Sequence, residues 1–218
     1  VPTNGNMLSP PAWMANLRTT PNKVIRPNDN IETILEDLDA GDYVKILEGT
    51  YSIAGSLRAV LAGTASLPIR IAGEGNVLIV QPSRSQNIFE ILDGSGYFVL
   101  ESIRFTGGSA GLRFMEVNHA VIRNCELFET GDVAIRANDK NTSYLTFAQN
   151  HIHHTNNTGE AYYLGHNDGT FLTHHTVVRN NYIHDLNGPT VQQGDGIEVK
   201  KNSYANIIEY NFIKDTNY

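Results

Sequence analysis

Two related blocks hold most of the side chains in this sequence that could do chemistry. The first, Gly159 to Ile183, carries Glu160 and Tyr163; the second, Gly194 to Ile213, carries Asp195, Glu198, Lys200 and Lys201. His153 and His184 stand just before a turn in each neighbourhood, and Lys214 occupies the corresponding place after Ile213. Amines and imidazoles can take and return protons, and carboxylates can pair with cations. The same residue types also have plainer uses, since acidic side chains close turns and lysines at strand ends are solvated.

The elements that must position these groups read as short strands. YVKILEGTY, LPIRIAG, NVLIVQ, IFEIL and YFVLESIRF are β-branched or aromatic runs separated by Gly, Pro, Ser and Asn. Aligning YFVLESIRF, HAVIRNCELF, YLTFAQNHIHH, HTVVRNNYIHD and NIIEYNFIKD puts Ile103, Cys125, Asn150, Asn181 and Asn211 in one column. Phe105, Leu127, Ile152, Ile183 and Ile213 form the next inward column. The intervals run 22, 25, 31 and 30 residues, with a further strand between at Leu112, Ile135, Tyr162 and Ile197. That length suits one solenoid coil of three short strands, with insertions absorbed by turns. Stacked asparagines can hydrogen-bond along the axis and so satisfy groups that are costly to bury alone. Cys125 replaces Asn in that column and is expected to be a buried, inert thiol.

Ahead of the repeats, residues 1–23 read as an irregular lead-in, packed on the body by Trp13 and Met14. A capping helix over about 29–38 follows from Ile31, Ile34, Leu35 and Leu38, with Asp29 or Asn30 as cap and Glu32 at capping-box distance from Asp29. Gly41 ends it. Residues 24–218 then form a single all-β domain. The last strand reading runs almost to Tyr218 and no cap follows, although a solenoid end needs one. The expectation is a missing C-terminal segment, or another chain, covering that end.

Sixteen Lys and Arg against 23 Asp and Glu give a net charge of −7 with no basic run, which excludes nucleic acid as partner. A few cations in one groove could still hold an anionic sugar. One cysteine builds no disulfide framework, and every apolar run is too short for a membrane span. The Asn, Thr, Gly and Tyr content favours a secreted protein.

Strand alternation predicts which side chains face out. Thr106, Phe128, His153, His184 and Lys214 form one outward column; Arg113, Arg136, Tyr163 and Glu198 form another. With Glu160 stacked over Asp195, one corner is expected to gather His153, His184, Lys214, Glu160 and Asp195, with Glu198 and Lys200 beside it. Such a groove runs along the axis and suits a linear polymer. His151, His154, His174 and His175 add imidazoles without a fixed three-ligand spacing.

The helix followed by AGDYVKILEGTYS, and the strands ending in NxI, resemble right-handed parallel β-helix proteins of the pectate-lyase-like type, with their N-terminal cap and asparagine ladder. GEAYYLG and DGIEVKKNSYANIIEYNFI resemble the core of the chondroitinase B and alginate lyase family. That resemblance implies a secreted or periplasmic polysaccharide lyase acting on an acidic, uronate polymer. It also implies Ca2+ held by carboxylates and a lysine base. Asp195 falls at the family's first carboxylate and Glu198 one residue off the second, with Glu160 completing the set; the family lysine aligns with Asn202, leaving Lys200 and Lys201 as substitutes. His184 or His153 would assist the leaving group, and Arg113, Arg136, Tyr163 and Lys214 would bind substrate. The cation would neutralise the uronate carboxylate so that the neighbouring proton becomes acidic. Two other functions fit the same architecture: a non-catalytic glycan-binding or structural β-helix, and a glycoside hydrolase. The NTD, GHG and RIK motifs of β-helix polygalacturonases are absent, as is the DPHD motif of mannuronan epimerases.

Overall fold

Apolar residues recurring once per coil can only be buried together if the coils stack in register, and they do. The computed structural model describes residues 9–217 and winds the chain into three parallel sheets. Each coil contributes one strand to each sheet, and crossovers between parallel strands of one sheet take the right-handed sense. The architecture is a right-handed parallel β-helix.

The first sheet holds Tyr43–Ile46, Ile69–Gly73, Gly96–Glu101, Asn118–Arg123, Thr142–Ala148, Val177–Arg179 and Ile207–Glu209, with Lys23–Ile25 at its start. The second runs from Gly49–Ser52 to Phe212–Ile213, and the third from Leu57–Ala59 to Ile197–Val199. The inward columns pair as expected: Phe105, Leu127, Ile152, Ile183 and Ile213 in the second sheet, and Leu112, Ile135, Tyr162 and Ile197 in the third. All of these but Ile197 and Ile213 are fully buried, each stabilising the fold by roughly 1.5–3 kcal/mol relative to exposure.

The turn from first to second sheet explains why polar residues recur there. Ser102, Asn124, Gln149, Asn180 and Tyr210 each sit at φ between 53° and 59°, a left-handed conformation that Asn tolerates best. The next residue points inward. Asn150 Oδ1 accepts from Cys125 N, Asn181 Oδ1 from Asn150 N and Asn211 Oδ1 from Asn181 N, at 3.1, 2.9 and 3.0 Å. Their amide groups donate to Ile122, Phe147 and Val178 carbonyls. Cys125 lacks that capacity and packs as a buried thiol, pushed up to about 12 by burial.

The capping helix is shorter than its apolar spacing predicts. It spans Ile31–Glu36, and Asn30 is the cap, accepting from Thr33 N at 3.2 Å. Asp29 instead closes the preceding turn on Arg26 N, so Glu32 takes no part in a capping box with it. Leu38 is buried beyond the helix end. In the lead-in a 3-10 turn, Ala12–Asn16, packs Trp13 and Met14 on Val99, Val121 and Tyr97 of the first sheet's outer face. At the opposite end Ile208 and Ile213 of the last described strands are 46% and 41% exposed. Among the described residues no helix is long and apolar enough to cross a membrane.

Candidate functional site

Two glycines explain how two carboxylates come to share one place. Gly159 and Gly194 have φ of +81° and +74°, and each directly precedes an acid, Glu160 and Asp195. A Cβ on Gly194 would lie 2.1 Å from the Leu186 carbonyl oxygen, so no other residue fits that turn. Ala161 N then donates to Asp195 O at 3.0 Å, which fixes the two turns one above the other at the mouth of the third sheet. Glu198 follows on strand Ile197–Val199. Ligand oxygens of Glu160, Asp195 and Glu198 all lie within 4.8 Å of one another.

Glu160 is fully buried, and neither of its carboxylate oxygens has a hydrogen-bond partner; Oε2 of Glu198 also lacks one. Burial raises the pKa of Glu160, and the nearby charges of Glu198 and Asp132 add to the effect. Leaving such a group ionised and unpaired costs several kcal/mol, so the site calls for a proton or a cation there.

Beside the acids lies a cavity of about 220 Å³ lined by Asp132, Arg136, Glu160, Tyr163, Gln193 and Lys200 among others. Arg136, Tyr163 and Glu198 are in register on three successive strands, all pointing outward. Lys200 shares that face two residues beyond Glu198, held by its N–H to Leu164 O at 2.8 Å. Its Nζ pairs with Glu198 Oε1 and stands 4.3 Å from the centre of the Tyr163 ring. Burial works against the Lys200 ammonium, but Glu198 and Tyr163 outweigh it and raise the pKa. Burial likewise raises the Tyr163 phenol, and the ammonium of Lys200 pulls it back. Arg136 reaches over the same ring at 6.0 Å and donates to Asn138 Oδ1 at 2.9 Å.

The histidines are elsewhere. The sequence reading gathered His153 and His184 at the same corner as Glu160 and Asp195, whereas they stand on the second sheet, and the turn through 154–161 separates the two sets. No hydrogen bond, ion pair or ring contact joins the sets among the described residues. His153 and His184 stack at 5.0 Å, with His151 and Glu126 beside them. Burial pushes His151 down to about 4 and also lowers His153. Lys214 pairs with Asp215 at 3.1 Å on that side too. Arg113 is tied to Asp139 at 2.9 Å and to Glu90 at 3.5 Å, one coil before Arg136, and Lys201 is exposed in the turn after the strand. Asp132 and Gln193 line the cavity, and sequence reasoning missed both. Asp132 stands three residues before Ile135 whereas Glu160 stands two before Tyr162, so the repeat register carried no signal for it.

The family described as "Right handed beta helix region" matches residues 69–184, more than half of the chain, and the chain belongs to that family. A solved structure similar to it is the alginate lyase from Paenibacillus sp. str. FPU-7, with a TM-score of 0.68 and 20% sequence identity, over 88% of this chain and 66% of that one. The chain thus spans just under two thirds of that enzyme's length, and the likeness is one of fold. No curated protein matches it.

Proposed function

We propose that this protein is a secreted or periplasmic polysaccharide lyase that cleaves an acidic, uronate-containing polysaccharide by β-elimination. The observation that carries this reading is one cavity lined by Arg136, Tyr163, Lys200, Asp132 and Glu160, with Glu160 clustered with Asp195 and Glu198. The similar fold of an alginate lyase supports it. Elimination needs the uronate carboxylate neutralised, a base for the proton beside it and an acid for the departing glycosidic oxygen.

Arg136 and the Lys200 ammonium supply positive charge where the uronate carboxylate would lie. Tyr163 handles the proton: the ammonium 4.3 Å from its ring offsets part of the burial that raises its phenol, and in the phenolate form it takes the proton from the carbon next to the carboxylate. The carbon–carbon double bond forms as the glycosidic C–O bond breaks, and the Tyr163 phenol returns the proton to the leaving oxygen. In its ground state Lys200 is charged, so it serves Tyr163 better than it would serve as the base itself. Glu160, Asp195 and Glu198 fit a hard divalent cation such as Ca2+, since both oxygens of Glu160 and Oε2 of Glu198 are buried without a hydrogen-bond partner and Asp195 offers a third carboxylate within reach. When bound, such an ion supplies further positive charge for the substrate carboxylate.

Incubation with uronate polymers tests the proposal. Ultraviolet absorbance of an unsaturated product, rising together with new reducing ends, is the expected result. Reducing ends without absorbance would instead identify a hydrolase using the carboxylates, and polymer binding without either would identify a glycan-binding module.

A further inference from the structure

The second cluster is itself a site. Glu126, on strand Glu126–Phe128, pairs in register with His151, and Phe128 with His153, on strand His151–His153 of the next coil. All three polar side chains project from the outer face of the second sheet. Glu126 Oε1 lies 3.1 Å from His153 Nε2 and 3.6 Å from His151 Nδ1.

The hydrogen bonds around these atoms determine which nitrogens carry lone pairs. Asp185, held at φ 53° in the turn after His184, can only accept, so His184 Nδ1 donates to it at 2.6 Å. In the neutral ring His184 Nε2 is then an acceptor, and the His151 Nε2 facing it at 2.7 Å is the donor. His151 Nδ1 is left as a lone pair aimed at a carboxylate oxygen, acceptor against acceptor. By the same rule His153 Nε2 donates to that carboxylate oxygen at 3.1 Å while its Nδ1 accepts from His154 at 2.6 Å, so a metal taken up there replaces the Nε2 proton. Arg104 binds the other oxygen of Glu126, Oε2, and orients the carboxylate.

We propose that Glu126 Oε1, His151 Nδ1 and His153 Nε2 bind one divalent first-row transition ion of the zinc class. A zinc ion with ligands about 2.1 Å away in tetrahedral geometry places neighbouring ligand atoms roughly 3.4 Å apart, close to the separations seen here. Two imidazoles and one carboxylate suit such metals, whereas calcium prefers oxygen alone. His184, backed by Asp185, and Arg104 are the positioning groups that hold His151 and Glu126 in place. The ion would join two adjacent coils on a sheet that the proposed lyase site does not use.

The test is calorimetric titration of the full chain with zinc chloride. One equivalent should bind, and His153→Ala should abolish it while retaining the circular-dichroism melt of a folded solenoid. His184→Ala, which removes an orienting partner and no ligand, should weaken binding about 10- to 100-fold. Glu160→Gln should bind as the parent does. As a second readout on the unmutated chain, cobalt(II) should show visible absorption bands that zinc removes and excess calcium leaves unchanged. Failure to bind zinc saturably, binding indifferent to His153→Ala, or binding lost in Glu160→Gln would overturn the proposal.

Discussion

The acidic cluster at the mouth of the third sheet and the imidazole cluster on the second sheet occupy neighbouring coils, yet they solve opposite problems. Glu160, Asp195 and Glu198 bring three carboxylates together with Glu160 fully buried and both its oxygens unpartnered. Glu126, His151, His153 and His184 are partly exposed and hydrogen-bonded in two runs, Glu126 with His153, and His151 through His184 to Asp185. Oxygen donors with a cavity beside them suit a hard cation and an anionic substrate. Nitrogen donors on an open sheet face suit a borderline metal and have no comparable cavity. Stacked coils thus place side chains by strand, so two sets close in sequence come to lie on different sheets.

The largest effect should come from the proton-handling group. Tyr163→Phe keeps the ring beside Lys200 and removes the hydroxyl, so kcat for elimination should fall about 1,000-fold with KM little changed. A smaller effect should follow chelation. Removing divalent cations should lower elimination about 100-fold, with calcium restoring it and zinc failing to, because the three-oxygen set favours a hard ion. Restoration by zinc and not calcium would merge the two clusters into one function.

The turn that builds the acidic cluster has its own test. Gly194→Ala, at φ +74° against the Leu186 carbonyl, should cost about 2 kcal/mol or more in denaturant unfolding and reduce activity with it. The smallest effect belongs to neither cluster and checks that the scaffold behaves independently. Burial pushes the Asp42 carboxyl up, but hydrogen bonds from Asp39 N–H and Asn22 and the charge of Lys23 outweigh it and hold its pKa below 3.8. A carboxylate depressed in the fold contributes stability above its unfolded pKa and loses it as pH falls through the folded value. Asp42→Asn should therefore make the acid limb below about pH 4 shallower, without altering either metal response.

The coil architecture was legible because period and register are sequence properties. Placing Cys125, Asn150, Asn181 and Asn211 in one column already specified the turn that the hydrogen bonds display. The capping helix was legible in kind and too long by its apolar spacing, since Asn30 competes with Asp29 for the cap and geometry favours Asn30. Glu160 over Asp195 was legible from the matched glycines. What the sequence could not show was the corner: His153 and His184 belong to one sheet and Glu160 to the next, and the eight-residue turn through 154–161 carries no signal of the angle it makes. The protonation of Lys200 was hidden for a related reason. Its i, i+2 relation to Glu198 was visible on the strand, but its distance from the Tyr163 ring depends on the coil below.

One side-by-side assay tests the division most directly: elimination on a uronate polymer by Lys200→Ala and by His153→Ala, followed by ultraviolet absorbance. Lys200→Ala should lose activity by 100-fold or more, and His153→Ala should stay within about threefold of the parent. Loss of activity in His153→Ala with Lys200→Ala intact would contradict the account.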